Sequence, residues 1–338
     1  MGEYVRQSNI ELLRIVSMFI VILSHYYCHS AFPDDGVVGI NELIMLFLAS
    51  GGKIAVNIFV IITGYFLVYQ KFSWKKLLKF FSCTYFWSIV VLIFAITSFG
   101  LSNISPELIK KSLIPFTPVN WFARAYLHLY IIFPLLNKVI YKFDKKVIGY
   151  IIGALTLFFY VIPTIRNVAL GGYLNSLLMF SNMYFIGAYI RLYANKEMER
   201  YMIRGGILGI AVIYSSILFF ILTGCIKKEI MSYPSSGANL FVLLVSIEMF
   251  VYFKNKQISY SNIINNVAAT TFAVYLIHDN ELLKSWLWND VVCSQDFYSS
   301  SYLILHMLMA SVSIFVVCSF LDYLRIKYFE KPIMKLVR

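Results

Sequence analysis

The sequence predicts an all-α, polytopic membrane protein, a bundle of about ten transmembrane helices forming one integral domain with no separate soluble domain. Three observations carry this. Of 338 residues, 60% are hydrophobic and only 14% charged, with a mean hydropathy of +0.74, whereas a soluble domain is nearer a quarter charged. The apolar residues fall in runs close to the roughly 20 that a helix needs to cross a bilayer. The basic residues behind the net charge of +12 collect in alternate gaps between those runs, as the positive-inside rule requires.

The first run, residues 10–31, carries Glu11, Arg14 and His25. It lacks a small-residue cleavage site, so it reads as a retained span and not as a signal peptide. The step from Arg14 to His25 is three helical turns plus roughly 20°, which puts both on one face about 16 Å apart. Glu11 precedes Arg14 by one turn on nearly the same stripe. Ionisable groups in a membrane helix are expensive and usually face a polar interior. The plain alternatives are an interfacial Glu11–Arg14 ion pair and a buried, hydrogen-bonded His25.

Residues 41–50 are apolar but stop at Gly51-Gly52, which predicts a short interfacial helix. The second span, 53–69, contains NIFVIITGYFL, in which Thr63-Gly64 reads as close helix packing through a small residue. The third, 77–98, opens on KFSWKKLLKFF. Its Lys75, Lys76 and Lys79 form either an anchor on anionic lipid or a site for a phosphate-bearing ligand. The fourth, 121–141, starts with an interfacial Trp121 and places Arg124 and His128 one turn apart. Spans follow at 147–163, 173–193, 204–223 and 237–253. The ninth, 266–288, contains FAVYLIHDN, so His278 and Asp279, with Glu281 after them, need a wet or protein-lined cavity at bilayer depth. The tenth is 301–325.

With the N-terminus cytoplasmic, most of the 29 basic residues lie on the inner side, and only Lys110, Lys111, Arg166, Lys227 and Lys228 fall in outer loops. Both termini are therefore expected in the cytoplasm. The same asymmetry accounts for the positive charge without nucleic acid; membrane lipids are the expected surroundings. The five cysteines are scattered without CxxC or metal spacing, so neither a disulfide framework nor a metal is expected. There is no Walker loop, GxGxxG, HExxH or GxSxG, so nucleotide-driven coupling is not indicated.

Taken together, these motifs resemble the acyltransferase 3 family of integral membrane acyltransferases, most closely the branch that O-acetylates bacterial cell-surface polysaccharides. The resemblance rests on four elements in order: Glu11, Arg14 and His25; Thr63-Gly64-Tyr65; the Lys75, Lys76 and Lys79 cluster; and Tyr275, Leu276 and His278. Glu11 replaces the commoner aspartate, and lysine replaces arginine in the basic cluster, which loses bidentate phosphate geometry. The resemblance implies acetyl-CoA as donor and a sugar hydroxyl as acceptor, in the bacterial plasma membrane. It implies Glu11, Arg14, His25 and His278 as the catalytic set, and Arg14, Lys75, Lys76, Lys79 and Tyr65 as donor-binding residues. No SGNH-type domain follows the tenth span, so transfer is expected to be completed by the membrane domain or by a separate partner.

The residues are chemically consistent with this. Clustered cations suit an anionic coenzyme, and an imidazole can take the proton of an attacking hydroxyl or carry the acyl group itself. The competing class is a transporter or flippase for a glycan or small anionic substrate, which would use intramembrane His, Asp and Glu as a proton relay. Against it stand the absence of a strong internal repeat and the linked spacing of Arg14 and His25.

Overall fold

The structure, a computed structural model, describes residues 6–32, 39–114, 118–166, 173–224 and 233–336. The basic residues Lys227, Lys228 and Arg338 lie outside these. No strand occurs among the described residues, and the all-α fold class is observed. Among the described residues, six helices are long and apolar enough to cross a membrane, which makes this a multi-pass membrane protein.

The bundle is assembled around α1 (Ser8–His29), which at 22 residues is about 33 Å long, enough to span the hydrocarbon. It packs against α2 (Ile40–Ala49), α3 (Gly52–Leu67), α11 (Leu240–Asn255), α12 (Asn262–Ala268), α13 (Thr271–His278) and α15 (Leu303–Arg325). The short helix expected at 41–50 is α2; it buries Met45 and Leu46 and runs almost directly into α3. Next come α4 (Trp74–Phe99), the short α5 (Pro106–Leu113), and α6 (Trp121–Lys142). The chain continues through α7 (Lys145–Thr156), a π turn at Leu157–Val161, α8 (Ile162–Arg166), α9 (Tyr173–Tyr193) and α10 (Lys196–Leu222).

Polar caps set several of these boundaries. The Ser73 hydroxyl accepts from the Lys76 N–H, Asp144 Oδ1 from Val147 and Asn195 Oδ1 from Met198, each satisfying one of the amides that an α-helix leaves open at its start. α3 and α9 approach most closely at Gly64 and Gly187. A Cβ on Gly64 would overlap the Tyr184 carbonyl, and one on Gly187 would overlap the Ile61 carbonyl. This is the small-residue packing expected at Thr63-Gly64, where backbones meet without side chains between them.

The expected spans are observed as helices with one exception. Residues 266–288 are not a continuous helix but α12, a break at Ala269-Thr270, α13, a turn after His278, and the short α14 (Lys284–Trp286). Local polar groups break it. Thr270 and Thr271 turn their hydroxyls back onto the carbonyls of Val267 and Ala268 at 2.7 and 2.8 Å, and Asn280 Oδ1 accepts from the Leu282 N–H. Side chains of this kind compete with the helical ladder. Irregular backbone at membrane depth is tolerated where protein or a cavity surrounds it, and Ala269, Thr271 and Asp279 all border one.

Candidate active site

A cavity of about 830 Å³ runs along α1, whose Glu11, Arg14, Met18, Val21, His25 and His29 all face it, with Arg6 just ahead of the helix. Arg14 and His25 therefore share the face that their spacing predicts, opening into one space. At the Arg14 end the wall is basic, with Lys76, Lys79 and Arg325. The middle is aromatic. Phe272, Phe80, Tyr126 and Phe122 form a continuous stack, with neighbouring rings at 5.2, 5.7 and 6.1 Å. The far end is polar again, with His25, His29, Lys53, Asn120 and Asp279.

Four residues from two distant segments converge at that far end. His25 Nδ1 lies 3.0 Å from His278 Nε2. His29, one turn beyond His25 on α1, holds Asp279 Oδ1 at 2.9 Å through Nε2, and the same carboxylate oxygen is 3.7 Å from His25 Nδ1. His278 is fully buried behind His25 and anchored by Nδ1 to the Val274 carbonyl at 2.6 Å. An unbroken helix would turn consecutive side chains about 100° apart. The break after His278 lets both His278 and Asp279 reach α1. Asn120 Nδ2 donates to the Asp279 carbonyl at 3.0 Å and holds the turn in place. Lys53, from the first turn of α3, lies with its ammonium 4.9 Å from the Trp121 ring centre. Among the described residues, His25, His29 and Asp279 offer atoms within 4.8 Å of one another, close enough to surround a cation. His25 Nδ1 is also engaged by His278 at 3.0 Å, and His29 Nε2 by Asp279 at 2.9 Å.

At the basic end Arg14 Nε is 3.8 Å from Glu11, beyond hydrogen-bond reach, and has no hydrogen-bond partner. Lys76 reaches Gln70. Lys79 pairs with Glu330 at 2.7 Å, and Glu330 also takes a 2.9 Å bond from Arg325, which is chelated by Asp322 at 2.5 Å. Trp87 donates to the same Asp322 oxygen at 2.9 Å. A π turn at Ile326–Glu330 carries Glu330 back to this cluster.

A sequence profile for an acyltransferase domain, that of the acyltransferase 3 family, matches residues 7–323. The chain belongs to the acyltransferase 3 family. No curated protein and no solved structure gives a significant match.

In this acyltransferase the residues singled out in the sequence fall into three groups. Glu11, Arg14, His25, Lys76 and Lys79 line the cavity. His278 does not border it but touches His25 from behind. Lys75 and Tyr65 lie elsewhere. Lys75 is exposed and outside the cavity wall. Tyr65 follows Gly64 into the α3–α9 crossing, where its hydroxyl accepts from Arg191 Nη1 at 2.7 Å under a guanidinium 4.7 Å from the ring. Sequence reasoning passed over His29, Lys53 and the Arg325–Glu330 pair as parts of the site. His29 had a readable signal, its i+4 spacing from His25 on the same face. Lys53 and Glu330 had none, because their place depends on which helices become neighbours.

Proposed function

We propose that this acyltransferase moves an acetyl group from acetyl-CoA to a hydroxyl of a bacterial surface or capsular polysaccharide, or of its lipid-linked precursor. One observation carries the reading: a single cavity joins a basic mouth to a histidine about 16 Å further along α1. The charges suit the parts of a coenzyme A thioester. Its phosphates are met at the mouth by Arg14, whose Nε lacks a hydrogen-bond partner, and by Lys76. The thin pantetheine arm passes the aromatic stack, and the thioester carbon arrives beside His25. The acceptor enters from the end where Lys53, Trp121 and Asn120 form the wall. With the basic mouth facing the cytoplasm of the bacterial plasma membrane, donor and acceptor reach His25 from opposite sides.

In the reaction His25 takes the hydroxyl proton as the oxygen bonds to the thioester carbon. The C–S bond breaks, and the imidazolium returns that proton to the thiolate of coenzyme A. The ring nitrogen can instead hold the acetyl group between two half-reactions. Glu11 keeps Arg14 directed along the cavity wall.

The test is purified protein in lipid nanodiscs with radiolabelled acetyl-CoA. Thioester cleavage or transfer by the parent, lost in His25→Gln, is the expected result. Binding of acetyl-CoA without cleavage in either protein would discard the enzymatic reading and favour transport.

A further inference from the structure

His278 has no access to the cavity, so it cannot act on substrate. It nonetheless makes the shortest polar contact to His25, 3.0 Å from Nδ1. With both rings neutral, the directions of the hydrogen bonds around it follow from one fixed acceptor. The Val274 carbonyl only accepts, and it sits 2.6 Å from His278 Nδ1, so that nitrogen carries a proton. A neutral imidazole has one N–H, so His278 Nε2 presents a lone pair. The facing atom, His25 Nδ1, must then be the donor. It follows that the other nitrogen of His25, Nε2, is bare.

We infer that His278 is a positioning residue that sets the tautomer of His25, and so leaves His25 Nε2 as the base for the acceptor hydroxyl. The inference rests on the acyl-transfer reading of the cavity. Two further features support it. First, the nearest partner of Nδ1 is a neutral ring and not a carboxylate. Asp279 is held at 3.7 Å because His29 engages the same oxygen at 2.9 Å. Asp279 is thus close enough to offset the charge His25 gains when it takes a proton, without replacing His278 as acceptor. Second, the relay ends in backbone. Val274 belongs to the same short helix as His278, so the direction of the relay is built into α13 and does not depend on a mobile side chain. This is the logic by which an orienting group fixes a catalytic imidazole elsewhere, where the wrong tautomer costs about 10⁴-fold.

The test uses the full chain, ¹⁵N-labelled at histidine, in nanodiscs, with acetyl-CoA cleavage as the activity. Protonated and bare ring nitrogens give separate ¹⁵N signals, and the His25 pair is identified by its loss in His25→Gln. The expected parent pattern for His25 is a protonated Nδ1 and a bare Nε2. His278→Leu removes the acceptor and is expected to mix the His25 tautomers and lower kcat about 10²-fold or more, with KM for acetyl-CoA unchanged. His278→Gln, whose amide oxygen can occupy the place of Nε2, is expected to keep the parent pattern and to restore kcat to within about tenfold. A bare Nδ1 on His25 in the parent overturns the inference, even if the leucine variant fails to fold. So does a leucine variant with parent kcat or the parent pattern. Full cleavage by His25→Gln would instead sink the acyl-transfer reading beneath it, and the two failures are distinguishable.

Discussion

Arg325 is buried between two carboxylates, Asp322 and Glu330, and its partners in turn hold Trp87 and Lys79. Removing one member of such a cluster leaves the others charged and uncompensated, at a cost of roughly 3–5 kcal/mol. Arg325→Met is therefore expected to lower the unfolding temperature markedly in a thermal scan in detergent. Lys79→Met acts on a half-exposed side chain and is expected to cost about 1 kcal/mol or less. For His25 the expectation is chemical. A glutamine keeps hydrogen bonding but cannot take up a proton near neutral pH, so His25→Gln should give normal membrane yield and near-normal acetyl-CoA affinity. Its turnover should fall roughly 10²–10⁴-fold. Comparing binding with single-turnover rates separates those quantities. The cations of the basic cluster also divide by position. Lys76→Ala is expected to weaken donor binding and make it less sensitive to salt, whereas Lys75→Ala should leave the affinity measured by titration unchanged.

Two elements do more than span the membrane. The α3–α9 crossing brings backbone against backbone at Gly64 and Gly187, and it turns Tyr65 towards Arg191, away from the cavity. A larger residue at Gly64 must push the two helices apart. Gly64→Leu is expected to destabilise by about 1–3 kcal/mol, visible as a lower unfolding temperature. Tyr65→Phe, which loses only the bond to Arg191, should leave donor affinity unchanged in the same titration. The broken ninth span is the second such element. It gives up a continuous hydrogen-bond ladder at Ala269-Thr270 and after His278, and the return is geometric: two adjacent residues, His278 and Asp279, both meet α1 at the level of His25.

At the scale of the whole molecule, the cavity and the charge distribution make one prediction about orientation. If the basic mouth is cytoplasmic, an impermeant thiol reagent applied to intact cells should label cysteines introduced in the 99–120 segment. It should not label those introduced in the 195–203 segment. Reversed labelling would place the mouth, and with it the donor site, on the outer side. That segment near 195 follows α9 and holds Asn195, whose side chain caps α10, so substitutions should avoid that residue.

The membrane character and nearly all of the helices are properties of the sequence alone, because hydropathy over about 20 residues is local and a bilayer offers a single length to match. The alignment of Glu11, Arg14 and His25 is local in the same sense. It needs only the helical period, and the cavity wall along α1 agrees with it. The ninth span was misread for a local reason that hydropathy cannot register: hydroxyl and amide side chains at Thr270, Thr271 and Asn280 competing for the backbone. The remainder was decided only by tertiary structure. Helical period states which face a residue occupies but not which helix will lie opposite. The pairing of His25 with His278, 253 positions later, the seat of Lys79 on Glu330, the diversion of Tyr65 to Arg191 and the place of Lys53 all depend on the choice of neighbour. That choice is made by the packing of whole helices, with Gly64 against the Tyr184 backbone and α1 at the centre of the bundle.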